Sequence, residues 1–512
     1  MIFAIAKNEF LQLFKSHNLT VAMLLCCMLM PLSVFIMLFN YDQRYENFTI
    51  NRSNEFPRRD SFVIQVGQKD STASDFDYPE RGRIRQPSTL SIFAKGIDGA
   101  LSGTFILAGR WLDPVFGIKQ ERNVFASFFG SFDLLLVVKF AVGLLAIILG
   151  CTSIVSEREA GTLALIFTNR IGRAQFIIGK IIGGVTVVSG SYIAGLLLCL
   201  LILIVWPSWS FAASDFVPVI FIFMTFTIYV IFNYLLGMTI SCLCQTTTTA
   251  SIAAVGSWLL IIVLLPMLLV YCAEIVHDVP ASEIVKGEKI EAGQKILDEA
   301  QHGLERSGGY DTHFFLPNYM GEYDATVHYK IIEAVGVIEE KHLEVQRKQI
   351  NLADLLLRFA PSGALANIVT NLTETSPRSY LAYKSAGLKL RDELYKKQYP
   401  TISQLLAISR GGLDPKLFLW DRDPDKDYLE SLELEGRAEY FLENTLFDHN
   451  SRPWKIGGWD EYDFATEYKK YIKEVPSRRT FSIADFTSLL LEAFFCFGLT
   501  FCLIMRYDVR VA

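Results

Sequence analysis

Long apolar stretches alternate with polar blocks along this chain of 512 residues. An α-helix needs about 20 apolar residues to cross a lipid bilayer. Six stretches reach that length, and we predict a transmembrane span in each of them: 19–39, 132–155, 176–206, 216–243, 250–275 and 486–505. The pattern is typical of an α-helical membrane protein with about six transmembrane helices.

A shorter, amphipathic pattern occupies residues 1–18, ahead of span one. Its polar side chains include Lys7 and Glu9, and its apolar side chains recur at helical spacing on the opposite face: Phe3, Ala6, Phe10, Leu13 and Phe14. This periodicity predicts a helix that lies in the membrane interface. No cleavage site of small residues follows span one, so we expect an uncleaved span rather than a signal peptide.

Two long polar blocks, 41–131 and 276–485, separate span one from span two and span five from span six. The first block mixes charged and apolar segments, and we predict a small domain of mixed α/β structure. The second block has apolar positions three and four residues apart, so we predict a mostly helical domain. Its predicted helices are Ser282–Arg306, Asp324–Phe359 (ended by Pro361), Arg378–Gln398, Tyr428–Thr445 and Asp463–Lys473.

Lys and Arg are distributed unevenly among the short segments that flank the spans. They occur in residues 1–18, in the connection 156–175 and in the tail that ends the segment 486–512, whereas the connection Pro207–Asp215 has none. Positively charged short segments stay in the cytoplasm. We therefore expect cytoplasmic termini, external polar blocks and a location in the plasma membrane of a bacterium.

The composition narrows the class of protein further. A mean hydropathy of +0.30 fits a mixture of membrane spans and water-exposed domains. The net charge of −6 argues against a nucleic-acid partner, which usually requires a basic surface. All nine cysteines lie in or beside apolar stretches, which predicts that no disulfide framework holds the polar blocks.

Motifs for covalent chemistry are missing from the sequence. It contains no Walker loop of the form GxxxxGK[ST] and no paired metal ligands at zinc-site spacing. The acidic run Asp421–Asp427 resembles a calcium loop, but Lys426 and Leu432 replace the required glycine and glutamate. We interpret Cys26 and Cys27, which lie among methionines, as packing residues rather than copper ligands. We predict no catalytic site, no metal site and no cofactor.

Two ionisable residues lie well inside the predicted spans. Lys139 and Glu492 each come about seven residues after the external end of a span, roughly 10 Å deep at the helical rise. Their opposite charges and equal depth make an interhelical ion pair one interpretation. Separate extension of each side chain to the outer interface is the other and simpler interpretation.

The connection between spans two and three, residues 156–175, has a distinctive order of residues. It begins with Glu157 and Glu159, passes through Gly161 to the apolar stretch Leu163–Phe167, and ends in a basic turn. Charged side chains are costly inside the bilayer, whereas apolar ones are stable against it. We therefore expect a cytoplasmic helix on the inner leaflet, with both glutamates facing solvent or a partner protein.

This connection resembles the coupling segment of the type-two permease family of ATP-binding-cassette exporters. The family pattern is an acidic start, Gly-Thr-Leu, a Ser/Thr-rich turn, an Arg, and Gly-Lys entering the third span. The chain has matching residues in that order: Glu157, Glu159, Gly161, Thr162, Leu163, Thr168, Arg173, Gly179 and Lys180. It departs at Arg170, where a proline is common. Two more segments, Pro87–Gly96 and Phe359–Ser362, resemble a subgroup with large external insertions that is linked to multicopper-enzyme maturation.

The resemblance implies a permease that has no ATPase site of its own. It would pair with a second copy or a similar permease in the lipid membrane and bind separate ATPase subunits. The coupling residues that it implies are Glu157, Glu159, Gly161, Thr162, Arg170 and Arg173. One alternative is an ion-coupled secondary transporter, although such carriers need several ionisable residues inside the membrane. Another is a membrane-anchored binding or sensor protein that works through its external domains.

Overall fold

A computed structural model describes residues 2–14, 17–54, 81–84, 87–99, 104–108, 113–116, 132–168, 172–207, 212–306, 317–389 and 479–506. Within these residues, six helical stretches are long and apolar enough to cross a membrane: Leu19–Thr49, Leu134–Glu159, Arg173–Val205, Ala213–Leu243, Thr247–Val276 and Ile483–Met505. They coincide with the six predicted spans. The predicted class, an α-helical membrane protein, is confirmed.

The spans consist mainly of α-helix, with a π-helical turn in span two (Val137–Val142) and another in span five (Leu259–Leu264). Their α-helices are His17–Asn54, Leu134–Leu136, Gly143–Cys151, Arg173–Val205, Phe216–Leu243, Thr247–Trp258, Leu265–Val276 and Ile483–Met505. Further helices are α1 (Ile2–Phe14), α2 (Val155–Glu159, the end of span two), α3 (Thr162–Thr168), α4 (Ser282–Arg306), α5 (Pro317–Leu357) and α6 (Pro361–Leu372).

Short polar side chains begin three of the spans. Asp133 accepts the amide N–H of Leu136 (2.8 Å) at the start of span two. Thr246 and Ser482 accept amide N–H groups at the starts of spans five and six. Because the first amides of a helix have no partner within it, such caps fix where each span begins.

The spans have two distinct ends. At one of them, a guanidinium N–H of Arg173, which begins span three, donates to the carbonyl of Met505, which ends span six (2.8 Å). α1 lies against the same part of span three, so we call this the terminal end. The two polar blocks are attached at the opposite end, which we call the insert end.

Glycines allow spans two and four to cross in direct contact. A Cβ atom on Gly150 would lie 2.3 Å from the carbonyl oxygen of Tyr234, and one on Gly237 would lie 2.3 Å from that of Ile147. Neither position has room for a side chain, so the two backbones touch. Small residues serve the same purpose in many membrane helix pairs.

The second polar block begins with helices close to those predicted. α4 has the predicted bounds, whereas α5 begins earlier than predicted, at Pro317. Pro361 follows α5 and also begins α6, because the first turn of a helix needs no amide N–H from its proline. The helix predicted at Arg378–Gln398 is present over 377–389. The remaining predicted helices, Tyr428–Thr445 and Asp463–Lys473, lie outside the described residues.

The described part of the first polar block contains three short antiparallel strands, in the order β1 (Arg81–Ile84), β2 (Thr104–Ala108) and β3 (Asp113–Phe116). Between β1 and β2, residues 87–99 include two 3-10 turns, Thr89–Ile92 and Gly96–Gly99. Much of the block lies outside the described residues, so its mixed α/β character stays a prediction.

Candidate functional site

A buried ammonium group joins three elements at the terminal end. Lys180 of span three is 2% exposed. Its Nζ atom lies 2.7 Å from a carboxylate oxygen of Glu9 in α1, 2.9 Å from one of Glu157 in α2, and 2.7 Å from the carbonyl oxygen of Ser153. A buried charge is tolerated when it is paired and hydrogen-bonded. Lys180 therefore ties α1 and α2 to span three, and we call Glu9, Glu157 and Lys180 the terminal network.

Two glycines let α1 approach span three closely enough to form this network. A Cβ atom on Gly179 would lie 2.8 Å from Cβ of Ile5, and one on Gly183 would lie 2.7 Å from the carbonyl oxygen of Ala6. The pair, one helical turn apart, brackets Lys180 and opens a groove for α1. Glu9 is consequently buried against Lys180.

The outer face of α1 matches its predicted amphipathic character only in part. Phe3 and Phe14 are largely exposed, which suits a helix whose apolar side faces lipid. Glu9 was expected on a polar, water-facing side, and that expectation is wrong. Its carboxylate faces the protein interior because Lys180 is there to pair with it.

α2 is fastened to the end of span four by two sets of hydrogen bonds. The hydroxyl of Ser241 accepts the amide N–H groups of Ile154 (3.0 Å) and Val155 (2.9 Å). The guanidinium of Arg158 donates to the carbonyls of Cys244 (2.6 Å) and Cys242 (3.1 Å). The last carbonyls of a helix lack partners within it and carry partial negative charge, so an arginine stabilises them.

Glu159 makes a matching contact with the start of span five. A carboxylate oxygen of Glu159 accepts the amide N–H of Thr247 (2.9 Å), the first residue of that span. A negative charge stabilises the positive end of a helix. Glu159 is also exposed, as predicted, whereas Glu157 is partly buried and paired with Lys180. The prediction that both glutamates face solvent or a partner is therefore wrong for Glu157.

α3 follows α2 across a sharp turn and presents an exposed surface. Gly161 has a φ of +69°, a left-handed conformation that favours glycine, and nothing lies within 4 Å of where its Cβ would be. Leu163 is buried, but Leu165 is 66% exposed, and Thr162 and Thr168 are exposed as well. Thus the predicted coupling residues Gly161 and Thr162 are accessible.

The basic turn after α3 leads back into the bundle. Arg173 lies over the ring of Phe167 (5.9 Å) in addition to its bond to Met505, and Phe167 packs edge-on against Phe176 (5.3 Å). Arg173 is thereby anchored to the protein. Arg170 lies outside the described residues.

A second ionic cluster, which no sequence pattern predicted, lies at the insert end. Asp215, which is 1% exposed, is paired through one carboxylate oxygen with Arg479. Its other oxygen accepts the hydroxyl of Thr89 (2.9 Å), and Arg479 also donates to Glu374 (3.1 Å). We call these four residues the insert network. It connects both polar blocks to the start of span four.

The turn 87–99 is packed into the bundle beside this network. Leu90, Ile92 and Phe93 are fully buried, and Phe93 packs edge-on against Phe223 of span four (5.6 Å). The amide N–H of Ile97 donates to the carbonyl of Thr375 (3.0 Å), just beyond α6. The segments Pro87–Gly96 and Phe359–Ser362, matched only weakly from sequence, thus belong to neighbouring elements of the structure.

α6 is wedged among spans four, five and six. Its side chains Leu365, Ile368 and Val369 are fully buried in the same apolar core as the spans. The hydroxyl of Ser362 donates to the carbonyl of Ile262, within the π-helical turn of span five (2.8 Å). At the end of α5, Arg358 pairs with Asp485 of span six (2.6 Å).

The two predicted intramembrane charges are not brought together. Lys139 and Glu492, both described, form no ion pair, so the ion-pair interpretation is wrong for this structure. The ammonium of Lys139 lies 5.3 Å from the centre of the Phe140 ring. One carboxylate oxygen of Glu492 is buried without a hydrogen bond.

Comparison with known protein families gives one match that covers most of the chain. The sequence model of a family described as "ABC-2 family transporter protein" matches residues 3–407. The matched range begins in α1 and includes spans one to five, both ionic networks except Arg479, and α6. No curated protein matches the chain.

Proposed function

The chain belongs to the ABC-2 family of transporter proteins, and from this premise we propose that it is a permease driven by separate ATPase subunits that dock on α2 and α3. Family membership and six apolar helices make it a multi-pass membrane protein and the membrane subunit of an ATP-binding-cassette transporter. We further propose that it works as an exporter, pairs with a second permease, and lies in the plasma membrane with its terminal end in the cytoplasm.

The exposed surface of α3 beside the anchored α2 carries this proposal. Gly161, Thr162, Leu165 and Thr168 are accessible at the end of the bundle that has the excess of Lys and Arg. A partner that binds there touches a segment whose other side is bonded to the bundle. A displacement of this surface by a docked partner would therefore be transmitted directly to the spans.

Each bond of α2 leads to a different span. Glu157 is paired with Lys180 of span three, which also pairs with Glu9 of α1. Arg158 is hydrogen-bonded to the end of span four, and Glu159 is hydrogen-bonded to the start of span five. Movement of α2 and α3 as a unit would displace the ends of these spans together. Since packed interfaces shift between discrete arrangements, nucleotide-driven closure of the ATPases would select one of two states of the membrane path.

Site-specific photo-crosslinking tests the docking surface. A photoreactive residue at Leu165 should form an adduct with an ATPase in the native cells, while one at Ile284 in α4, which is similarly exposed at the insert end, should not. Leu165→Asp should lower co-purified ATP hydrolysis about tenfold, the effect of about 1.4 kcal/mol. Ile284→Asp is the matched control. Equal hydrolysis in both variants at equal abundance would refute the docking site.

The proposed orientation has its own test. In a chain without native cysteines, single cysteines are introduced at Thr168 in α3 and Ile290 in α4. An impermeant thiol reagent should label the α4 position in intact cells and the α3 position only after permeabilisation, because the bilayer lies between them. Labelling of α3 from outside would reverse the orientation.

A further inference from the structure

An open surface cavity of about 210 Å³ lies at the insert end of span two. Its walls come from the turn 87–99, from span two and from α6, through Lys95, Asp133, Lys139, Phe140 and Ala366. The cavity belongs neither to the insert network nor to the docking surface at the other end. Two of its lining residues are lysines, which is unusual for a cavity beside an apolar span.

No described residue forms an ion pair with, or accepts a hydrogen bond from, the ammonium group of Lys139. Lys139 lies five residues after Leu134, about 8 Å along the helix. Among the residues that the structure describes, its ammonium has no carboxylate within 4.0 Å and no hydrogen-bond acceptor, and it lies 5.3 Å from the centre of the Phe140 ring. A cation at such a depth is expensive unless an anion or water accompanies it.

The backbone at Lys139 is held in place. The residue lies in the π-helical turn Val137–Val142, and the hydroxyl of Tyr229 in span four donates to its carbonyl (2.8 Å). Tyr229 is itself buried, and its carbonyl accepts the side-chain amide of Asn233 (2.8 Å). Single π turns within α-helices are frequent at functional sites, and this one fixes Lys139 at the cavity.

Asp133, the acidic residue among the described lining residues, already accepts hydrogen bonds. One oxygen of Asp133 accepts the amide N–H of Lys95 (2.8 Å) and the other accepts that of Leu136 (2.8 Å). Burial outweighs the lowering effect of the two amide hydrogen bonds and raises the pKa of Asp133 to about 6. Asp133 thus holds the turn 87–99 against span two. Among the described lining residues, Lys139 is therefore the cation that has no carboxylate in contact with it.

We propose that this cavity binds the phosphate group of an anionic lipid from the leaflet at the insert end. A phosphodiester headgroup carries a single negative charge, which the ammonium of Lys139 can neutralise. The ring of Phe140, with Leu135 and Ala366, gives apolar walls beside the cation, as an amphiphile with attached acyl chains requires. Inorganic phosphate has a higher charge and no apolar part, so it fits these walls less well.

Lipid binding to the purified permease without ATPases provides the test, so its outcome does not depend on the docking proposal. The full chain is placed in nanodiscs of phosphatidylcholine with and without phosphatidylglycerol, and retained phosphatidylglycerol is measured by native mass spectrometry. Lys139→Met should weaken binding about fivefold, the effect of about 1 kcal/mol per cation near a lipid surface. Lys139→Arg should bind as the parent does. Lys348→Met, in the exposed Lys348–Glu344 pair of α5, is the matched control.

Three results would overturn the proposal. The first is equal retention of phosphatidylglycerol by Lys139→Met and the control. The second is weak binding by Lys139→Arg at normal abundance, which would make the position structural. The third is displacement of the lipid by inorganic phosphate at equal concentration, because the cavity would then select a free anion rather than a lipid.

Discussion

Each end of the bundle has an ionic network that joins several elements, but the two networks differ in how deeply they are buried. At the terminal end, one lysine is paired with Glu9 and Glu157; at the insert end, Arg479 is paired with Asp215 and Glu374. Lys180 is almost completely buried, whereas the side chain of Arg479 is 18% exposed. Each cluster joins elements that are distant in sequence. The comparison suggests that the drier terminal network is essential to the fold, while the wetter insert network tolerates the loss of its cation better.

The sharpest test of this contrast is Lys180→Met. It leaves the two carboxylates of Glu9 and Glu157 facing each other without a cation, and an uncompensated buried charge costs about 3 to 5 kcal/mol. We expect a large fall in thermal stability and in membrane abundance. Lys348→Met, which breaks an exposed ion pair, should change neither. A melting temperature equal to that of the control would show that the terminal network does not stabilise the fold.

A pair of alanine substitutions compares the ends through their glycines. Gly96 and Gly161 both have positive φ, and alanine there costs about 1 to 2 kcal/mol in backbone strain. A Cβ on Gly96 would also lie 2.3 Å from the carbonyl oxygen of Thr375, which adds about 1 to 3 kcal/mol of overpacking. Gly161 has open space. Thermal denaturation should therefore show the larger loss for Gly96→Ala; the reverse order would contradict the contact between the two polar blocks.

Arg479→Met should have a smaller effect than Lys180→Met. Asp215 loses its cation but keeps the hydroxyl of Thr89 and the amide of Ala212 as donors. Losing a hydrogen bond to a charged group costs about 1.5 to 3 kcal/mol, and the partial exposure of Arg479 reduces that figure. Thermal unfolding of both variants in the same detergent measures the difference. If Arg479→Met is the more damaging, the ranking of the two networks is wrong.

Glu159→Gln should have the smallest effect on stability and still affect function. The amide oxygen can accept the N–H of Thr247 as the carboxylate does, and the site is exposed, so losing the charge at the start of span five should lower the melting temperature only slightly. The lost charge should reduce co-purification of the ATPase, because rim charges mainly set partner choice and encounter rate. Full ATPase recovery in low salt would remove Glu159 from the docking surface.

The spans were predictable because each is a long apolar stretch, and α4 was predictable because its apolar residues keep helical spacing. The two ionic networks were harder to predict from the sequence. Glu9 and Lys180 are 171 positions apart, and Asp215 and Arg479 are 264 apart, so no local pattern pairs them. One signal was available at the terminal end: Gly179 and Gly183 bracket Lys180 and indicate a close helix contact. No comparable glycine pattern marks Asp215, and its partner Arg479 lies near the end of the second polar block.

α6 has a consequence for how the protein is made. Twelve residues of helix extend about 18 Å, too short for the roughly 30 Å hydrocarbon core of a bilayer, so the insertion machinery cannot release it sideways as a span. Its neighbours are spans four and five, synthesised before it, and span six, synthesised more than 100 residues later. The side of α6 that contacts spans four and five can therefore be buried as soon as α6 is made, whereas the side that contacts span six can be buried only after span six is synthesised.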